Sequence, residues 1–328
     1  MAALIQESQV VRSARVAGDI VFVDGLTRSG KGLLGPILSA FERVEIERVE
    51  PSFEWVGAMA QLGKLSRDGA VALLRMLADE FLFNSMVGRN ANFRWEDHSS
   101  VWHNPQPWVY FRRLFLPERD AALARIRLER PIFQNMTHRQ LPNFRLLREA
   151  FGDGLRMVEM VRHPVDLVDS WMRKRKGERI GSDPQINVVC IDYRGHSLPY
   201  YVMGREEEFL AATPLGRVVL MLSIKFALSR DALSVLDAEE RRRLFLIPLD
   251  GFLETPEPHL ESLAAFLGTR PTRRMARILR RERVPRRLDR SARRERRRRI
   301  EAEATPAERE MLERLISDYE ELEREIGR

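Results

Sequence analysis

The chain has 328 residues, of which 44% are hydrophobic and 31% charged, with a formal net charge of +7 and a single cysteine. That length and apolar content suit a full-sized globular core and exclude a low-complexity or disordered chain, and one cysteine excludes an intrachain disulfide framework. Nothing at the N-terminus reads as a signal peptide and nothing reads as a spanning helix, which gives the expectation of a cytoplasmic protein.

The first predicted element is a buried strand, Ile20-Val21-Phe22-Val23, short, apolar and β-branched. Asp24 opens a loop that runs Gly25-Leu26-Thr27-Arg28-Ser29-Gly30-Lys31-Gly32, after which Leu33, Leu34, Ile37, Leu38 and Phe41 recur at helical spacing. A helix is therefore expected from near Lys31, with Pro36 tolerated close to its first turn. The unbonded amides at such a helix start, with the positive end of the helix dipole, attract an anion, and Arg28, Ser29 and Lys31 add charge and a hydroxyl. Gly25 to Lys31 fits the Gly-x4-Gly-Lys part of a phosphate loop, but Gly32 stands where Ser or Thr would hold magnesium.

Between this helix and the next strand, Glu45 and Glu47 read as solvated and Glu50 as a carboxylate just before Pro51. Residues 71–83 carry a helical apolar stripe, and residues 92–115 are dense in aromatic side chains: Trp95, Trp102, Trp108, Tyr110 and Phe111. Aromatic walls with a few polar groups suit a small-molecule site, so this stretch is expected to help form an acceptor pocket. His98 and His103 have neither a His-Glu-x-x-His pattern nor cysteine partners, so no metal site is expected. A second strand is expected in residues 131–141, ending in Thr137-His138.

The second anion-type junction follows. Met157-Val158-Glu159-Met160-Val161 reads as a strand, Arg162 sits at its carboxyl end, Pro164 takes the favoured first helical position, and Ser170 lies about two turns in. Ligands of open α/β sheets bind at such strand ends, and an arginine with a hydroxyl suits a phosphate. Residues 186–204 alternate and turn at Gly195, which predicts a hairpin or extended flap. Residues 244–252 give a last strand, and 256–268 a helix. Residues 273–299 hold fifteen arginines against Glu282, Asp289 and Glu295, so the rest of the chain is about five negative. The run could face nucleic acid, wall an anionic cosubstrate, or form a solvated helix paired with the acidic tail; the lack of interleaved aromatics weighs against base stacking. Thr305-Pro306-Ala307-Glu308 is a capping box for a final helix, whose stripe of Met311, Leu312, Leu315, Ile316, Tyr319, Leu322 and Ile326 must dock on this chain or on a second subunit as a homodimer.

The pairing of Arg28-Ser29-Gly30-Lys31 with Arg162-His163-Pro164-Val165-Asp166 and Ser170 resembles the sulfotransferases that use 3′-phosphoadenosine 5′-phosphosulfate. The resemblance extends in chain order over most of residues 18–270. It implies an α/β three-layer sandwich over residues 1–270 with a central parallel sheet, P-loop-like, with helical, acceptor-pocket insertions near 51–130 and 180–215, followed by the basic segment and amphipathic C-terminal helix of 271–328. It implies cosubstrate binding by Arg28, Ser29, Gly30, Lys31, Gly32 and Leu33 at the 5′-phosphosulfate, and by Arg162 and Ser170 at the 3′-phosphate. Arg286, in Arg283-Val284-Pro285-Arg286-Arg287, is the nearest counterpart of the family's Arg-Lys-Gly element. His138 corresponds to the catalytic base of the small-molecule branch and Glu50 to the glutamate of the glycan branch, with Arg28 and Lys31 meeting the leaving charge. The chain departs from the family at Lys31, where threonine is usual.

The expected activity is metal-free sulfonate transfer to a hydroxyl or amine of a small-molecule, lipid or glycan acceptor, releasing adenosine 3′,5′-bisphosphate. Two rivals are a metal-dependent P-loop kinase, supported by Lys31 and opposed by Gly32, and a non-enzymatic nucleic-acid-binding protein using the arginine run.

Overall fold

The structure is a computed structural model and describes residues 8–97, 99–117 and 119–326. Four parallel strands form the central sheet: β1 (Asp19–Asp24), β2 (Ile132–Met136), β3 (Leu155–Val161) and β6 (Leu244–Pro248), in the order β2-β1-β3-β6. Side chains alternate across each strand, and here both faces are apolar, as a doubly covered parallel sheet requires. Ile20, Phe22, Phe133, Leu155 and Met157 pack into one core, while Val21, Val23, Ile132, Val158, Met160 and Ile247 pack into the other. The result is the expected three-layer α/β arrangement.

The helices that place functional groups are α1 (Lys31–Leu38), α2 (Ser52–Gln61), α3 (Arg67–Met86), α4 (Phe144–Phe151), α5 (Pro164–Arg173), α6 (Pro214–Ser234), α7 (Pro256–Leu267), α8 (Arg290–Glu303) and α9 (Pro306–Ile326). Strands β4 (Cys190–Tyr193) and β5 (His196–Pro199) form the antiparallel hairpin anticipated near Gly195. The chain leaves β1 for β2 on one side and then crosses to β3 on the other, so the crevice at the carboxyl ends of β1, β2 and β3 lies at a reversal of strand order. Asp24 closes that end: its carboxylate accepts from Thr137 Oγ1 at 2.8 Å and from the amides of Gln140 and Leu141 at 2.5 and 2.9 Å.

The C-terminal region is built into both cores. Met275, Ile278 and Val284 join the core that contains α1, and Ile300, Leu312, Leu315, Ile316, Tyr319 and Leu322 join the other. The capping box forms, with Thr305 N donating to Glu308 Oε2 at 2.9 Å and Glu308 N to Thr305 Oγ1 at 3.3 Å. Helix α9 packs on α6, α5 and β6, so its apolar stripe, which alternatively suited a homodimer, is covered within this chain. No helix among the described residues is long and apolar enough to cross a membrane.

Glu45 and Glu47, expected in solvent, are buried. Glu45 is held by Arg113 at 2.6 and 2.7 Å, Ser85 at 2.9 Å and Tyr110 at 3.3 Å, which drives its pKa below the usual range despite its burial. Glu47 packs on Gly35 with neither carboxylate oxygen hydrogen-bonded, and burial raises its pKa to about 8. Partners distant in sequence decide both cases, and local charge patterning does not reveal them.

Gly25 has φ 135°, and a Cβ there would lie 2.5 Å from the Met160 carbonyl oxygen; Gly32 has open space around it. Gly25→Ala is expected to lower unfolding stability by about 2 kcal/mol or more, whereas Gly32→Ala in the helical first turn should be neutral or stabilising by up to about 1 kcal/mol. Urea denaturation checks the pair, and equal effects would contradict this account of the loop.

Candidate active site

Residues 25–30 wrap the carboxyl end of β1. Arg28 and Gly30 have φ of 74° and 102°, and a Cβ on Gly30 would stand 2.7 Å from a Leu249 methyl carbon. Gly30 is the N-cap of α1 without any side-chain cap, so the leading amides of Lys31 and Gly32 have no preceding turn to bond, while Leu33 N already donates to Gly30 O at 2.9 Å. Ser29 is fully buried with no hydrogen-bond partner for its hydroxyl.

The two anion-type junctions meet directly. Arg28 Nε donates to Ser170 Oγ at 3.0 Å, Arg162 Nη1 to the Arg28 carbonyl at 2.6 Å, and Trp171 Nε1 to the Thr27 carbonyl at 2.8 Å. Gly30, Leu33, Arg162 and Arg286 line one cavity of about 340 Å³ beside this junction. Asp166 and Asp250 share that cavity, but Arg293 pairs with both at 2.7 and 2.6 Å and Arg296 reaches Asp166 at 2.9 Å. Arg299 adds a contact to Asp169 at 3.1 Å. The inner face of α8 thus binds acids of α5 and of the segment after β6, which resolves this part of the arginine run as an intramolecular clamp. Burial lowers the pKa of Arg162, with the charges of Arg28 and Arg293 adding to that effect.

Lys31 differs from its expected role. Its ammonium is buried, donates back to the Gly25 carbonyl and lines neither cavity of the site. Burial lowers its pKa to about 8, against the pull of Asp24, Glu54, Glu159 and Glu47. Glu159, paired with Asp24 across β3 and β1, is pushed well above the carboxylate range by burial and by Asp24.

A second cavity, of about 330 Å³, is bounded by Thr27 of the loop and by Glu54, His138, Arg139, Lys176 and Lys225. His138 follows β2, and its backbone N and Nδ1 both reach Glu54 Oε1, at 3.0 and 2.9 Å. Glu54 is an anion, its pKa lowered by the hydrogen bond from His138 against its burial. Burial and the Lys31 charge lower the pKa of His138, and Glu54 opposes them. With Nδ1 donating to a carboxylate, the neutral ring presents Nε2 as its acceptor.

Glu50 is not part of this pair. It lies 3.9 Å from Arg48 and lines a neighbouring cavity of about 190 Å³ with Glu47, Ser85 and Tyr110. Four residues on, Glu54 lies in the first turn of α2 and faces His138. The helix start after Pro51 was the available signal, since it puts Glu50 outside the helix and Glu54 inside. The aromatic stretch also departs from expectation: Trp95, Trp108 and Phe115 are largely exposed, and Trp95 and Trp108 stack on Trp102 and Phe111, away from the His138 cavity. Its aromatic walls come instead from Trp55, Tyr200 and Tyr201, the last two just after the hairpin. His98 lies outside the described residues, and no cluster of three or more His, Cys, Asp or Glu suited to a metal occurs among the described ones.

Replacing Glu54 by Gln removes the one group that raises the His138 pKa. NMR titration of the histidine ring protons should find the His138 midpoint lower in Glu54→Gln than in the wild type. An unchanged or higher midpoint would contradict the pairing.

No protein-family model and no curated protein matches the sequence. Among solved structures, the sulfotransferase domain from the Synechococcus PCC 7002 olefin synthase is 15% identical with a TM-score of 0.44, covering 82% of this chain and 80% of that one. The sulfotransferase domain from the curacin biosynthetic pathway is 13% identical with a TM-score of 0.43, covering 80% and 77%. Sulfotransferase STF9 from Mycobacterium avium is 14% identical with a TM-score of 0.40, covering 85% and 71%. The chain is thus similar, across most of its length, to solved sulfotransferase structures.

Proposed function

We propose that this chain transfers a sulfonate group from 3′-phosphoadenosine 5′-phosphosulfate to a hydroxyl or amine of an acceptor, without metal. The observation that carries the reading is the joining of the two phosphate-type loops through Arg28 and Ser170, with Arg162 tied to the same loop. A nucleotide phosphorylated at both ends needs two such loops at one crevice, and a singly phosphorylated one does not. The fit extends to the buried, unpartnered Ser29 hydroxyl and to Arg286 on the wall of the same cavity.

In this reading the acceptor lies in the His138 cavity. Its oxygen attacks sulfur as the bond from sulfur to the bridging phosphate oxygen breaks, His138 Nε2 takes the acceptor proton, and adenosine 3′,5′-bisphosphate leaves. Glu54 holds the productive tautomer and stabilises the imidazolium as the proton arrives. Loop amides and Arg28 meet the charge on the departing oxygen, preorganised for it. Lys31 acts by fixing the loop through Gly25 and by keeping His138 neutral. The lone free Cys190 accords with a reducing, cytoplasmic setting. Gly32 disfavours the kinase, and the inward pairing of Arg293, Arg296 and Arg299 removes part of the surface a nucleic-acid reading would use.

Arg162→Ala should weaken binding of adenosine 3′,5′-bisphosphate by about tenfold or more, as expected for a lost charged hydrogen bond, and leave AMP affinity nearly unchanged. Calorimetric titration measures both, and equal losses would remove the 3′-phosphate role. His138→Ala should retain bisphosphate affinity while slowing transfer by about 10²-fold or more. A near-normal turnover would remove His138 as the base.

A further inference from the structure

The His138 cavity has more positive charge than proton transfer needs. Arg139, Lys176 and Lys225 line it, with Glu54 as the carboxylate opposite them, and Glu54 is already engaged by His138. Lys225, from the middle of α6, is 95% buried by its 5% exposure and has no hydrogen bond or ion pair among the described residues. Its ammonium instead lies 4.4 Å from the Tyr201 ring centre and 5.3 Å from that of Trp171. Burial, reinforced by Arg139, Lys176 and Lys31, lowers its pKa to about 7, and Glu54 is the one group pulling the other way.

Arg139 is equally enclosed. One terminal nitrogen donates to Gln61 Oε1 at 3.1 Å and to the Tyr200 hydroxyl, and the other is buried without a partner. Its guanidinium stacks over Tyr200 and Tyr201 at 4.5 and 5.0 Å, which fixes its plane. Two largely buried cations that line one cavity, Arg139 with an unpartnered terminal nitrogen and Lys225 with no side-chain partner among the described residues, are costly unless an anion completes them. The cations that serve the other cavity, Arg162 and Arg286, are separate from these.

We infer that Arg139 and Lys225 form an anion subsite for the acceptor, so that the natural acceptor carries a carboxylate or a phosphate in addition to the group that is sulfonated. Trp55, Ile186, Val188 and Tyr201 supply an apolar wall for the body that joins the two groups. Arginine's fork suits either oxyanion, and Lys225 adds a point charge. The inference rests on the proposed sulfotransferase reading for the identity of the acceptor, but the anion site itself can be judged without it.

The test compares benzoate, phenyl phosphate and benzamide, titrated calorimetrically into the protein with and without saturating adenosine 3′,5′-bisphosphate. Benzoate or phenyl phosphate should bind at least about tenfold more tightly than benzamide, a difference of about 1.4 kcal/mol, and the better of the two names the oxyanion. Lys225→Met, which replaces a buried cation by an apolar chain of similar length, should collapse that preference while leaving bisphosphate affinity unchanged; Arg139→Gln is the second variant. Equal binding of all three probes, or binding by none, overturns the inference. So does a preference that survives both substitutions. Failure of the bisphosphate to bind sinks the sulfotransferase reading, and the comparison in ligand-free protein then decides the anion site alone.

Discussion

Three hydrogen bonds between the loop after β1 and the β3-to-α5 segment organise the site: Arg28 to Ser170, Arg162 to the Arg28 carbonyl, and Trp171 to the Thr27 carbonyl. Each joins groups more than a hundred residues apart, and together they make one rigid edge from two separate strand ends. The loop can adopt its path because Gly25 tolerates a φ that brings it against the Met160 carbonyl. Both cavities draw on this edge, one lined by Thr27 and the other by Gly30, Leu33 and Arg162. Loss of the edge would disturb both cavities at once.

Beneath the edge lies a set of buried ionisable groups whose charges are mutually dependent. Lys31 lies among Asp24, Glu47, Glu54 and Glu159, and its ammonium is spent on the Gly25 carbonyl. Asp24 is fixed by Thr137 and two amides at the exit of β2, which sets where His138 emerges. Burial and Asp24 push the Glu159 pKa up, whereas the hydrogen bond from His138 lowers that of Glu54 against its burial. The basic character of His138 is therefore set by burial first, with Lys31 of α1 and Lys225 of α6 lowering its pKa further and Glu54 of α2 opposing them.

The four strands and the two anion-type junctions were readable in the sequence because each is a local pattern: a short apolar run, then glycines or a proline at a helix start. The capping box at Thr305 and the hairpin at Gly195 were readable for the same reason. The helix start after Pro51 separates Glu50 from Glu54, but that Glu54 faces His138 follows from the packing of α2 against the end of β2, which the sequence does not display. The aromatic stretch of residues 92–115 misled because density of aromatic side chains says nothing of which cavity they face. The fate of Arg293 and Arg296 depended on Asp166 and Asp250, whose positions relative to α8 follow from the tertiary fold. The direction of Lys31 likewise followed from the acids buried around it.

The reading of the site stands or falls on a nucleotide with phosphates at both the 3′ and 5′ positions. A thermal-shift comparison of adenosine 3′,5′-bisphosphate, AMP, and ATP with magnesium, each with and without chelator, is the most direct measurement. A ligand at a hundred times its dissociation constant stabilises the folded state by about 2.7 kcal/mol, enough to observe. The bisphosphate should raise the melting temperature most, with or without chelator. Stabilisation by ATP with magnesium alone, with the bisphosphate inert, would contradict the reading and favour a phosphate-loop kinase.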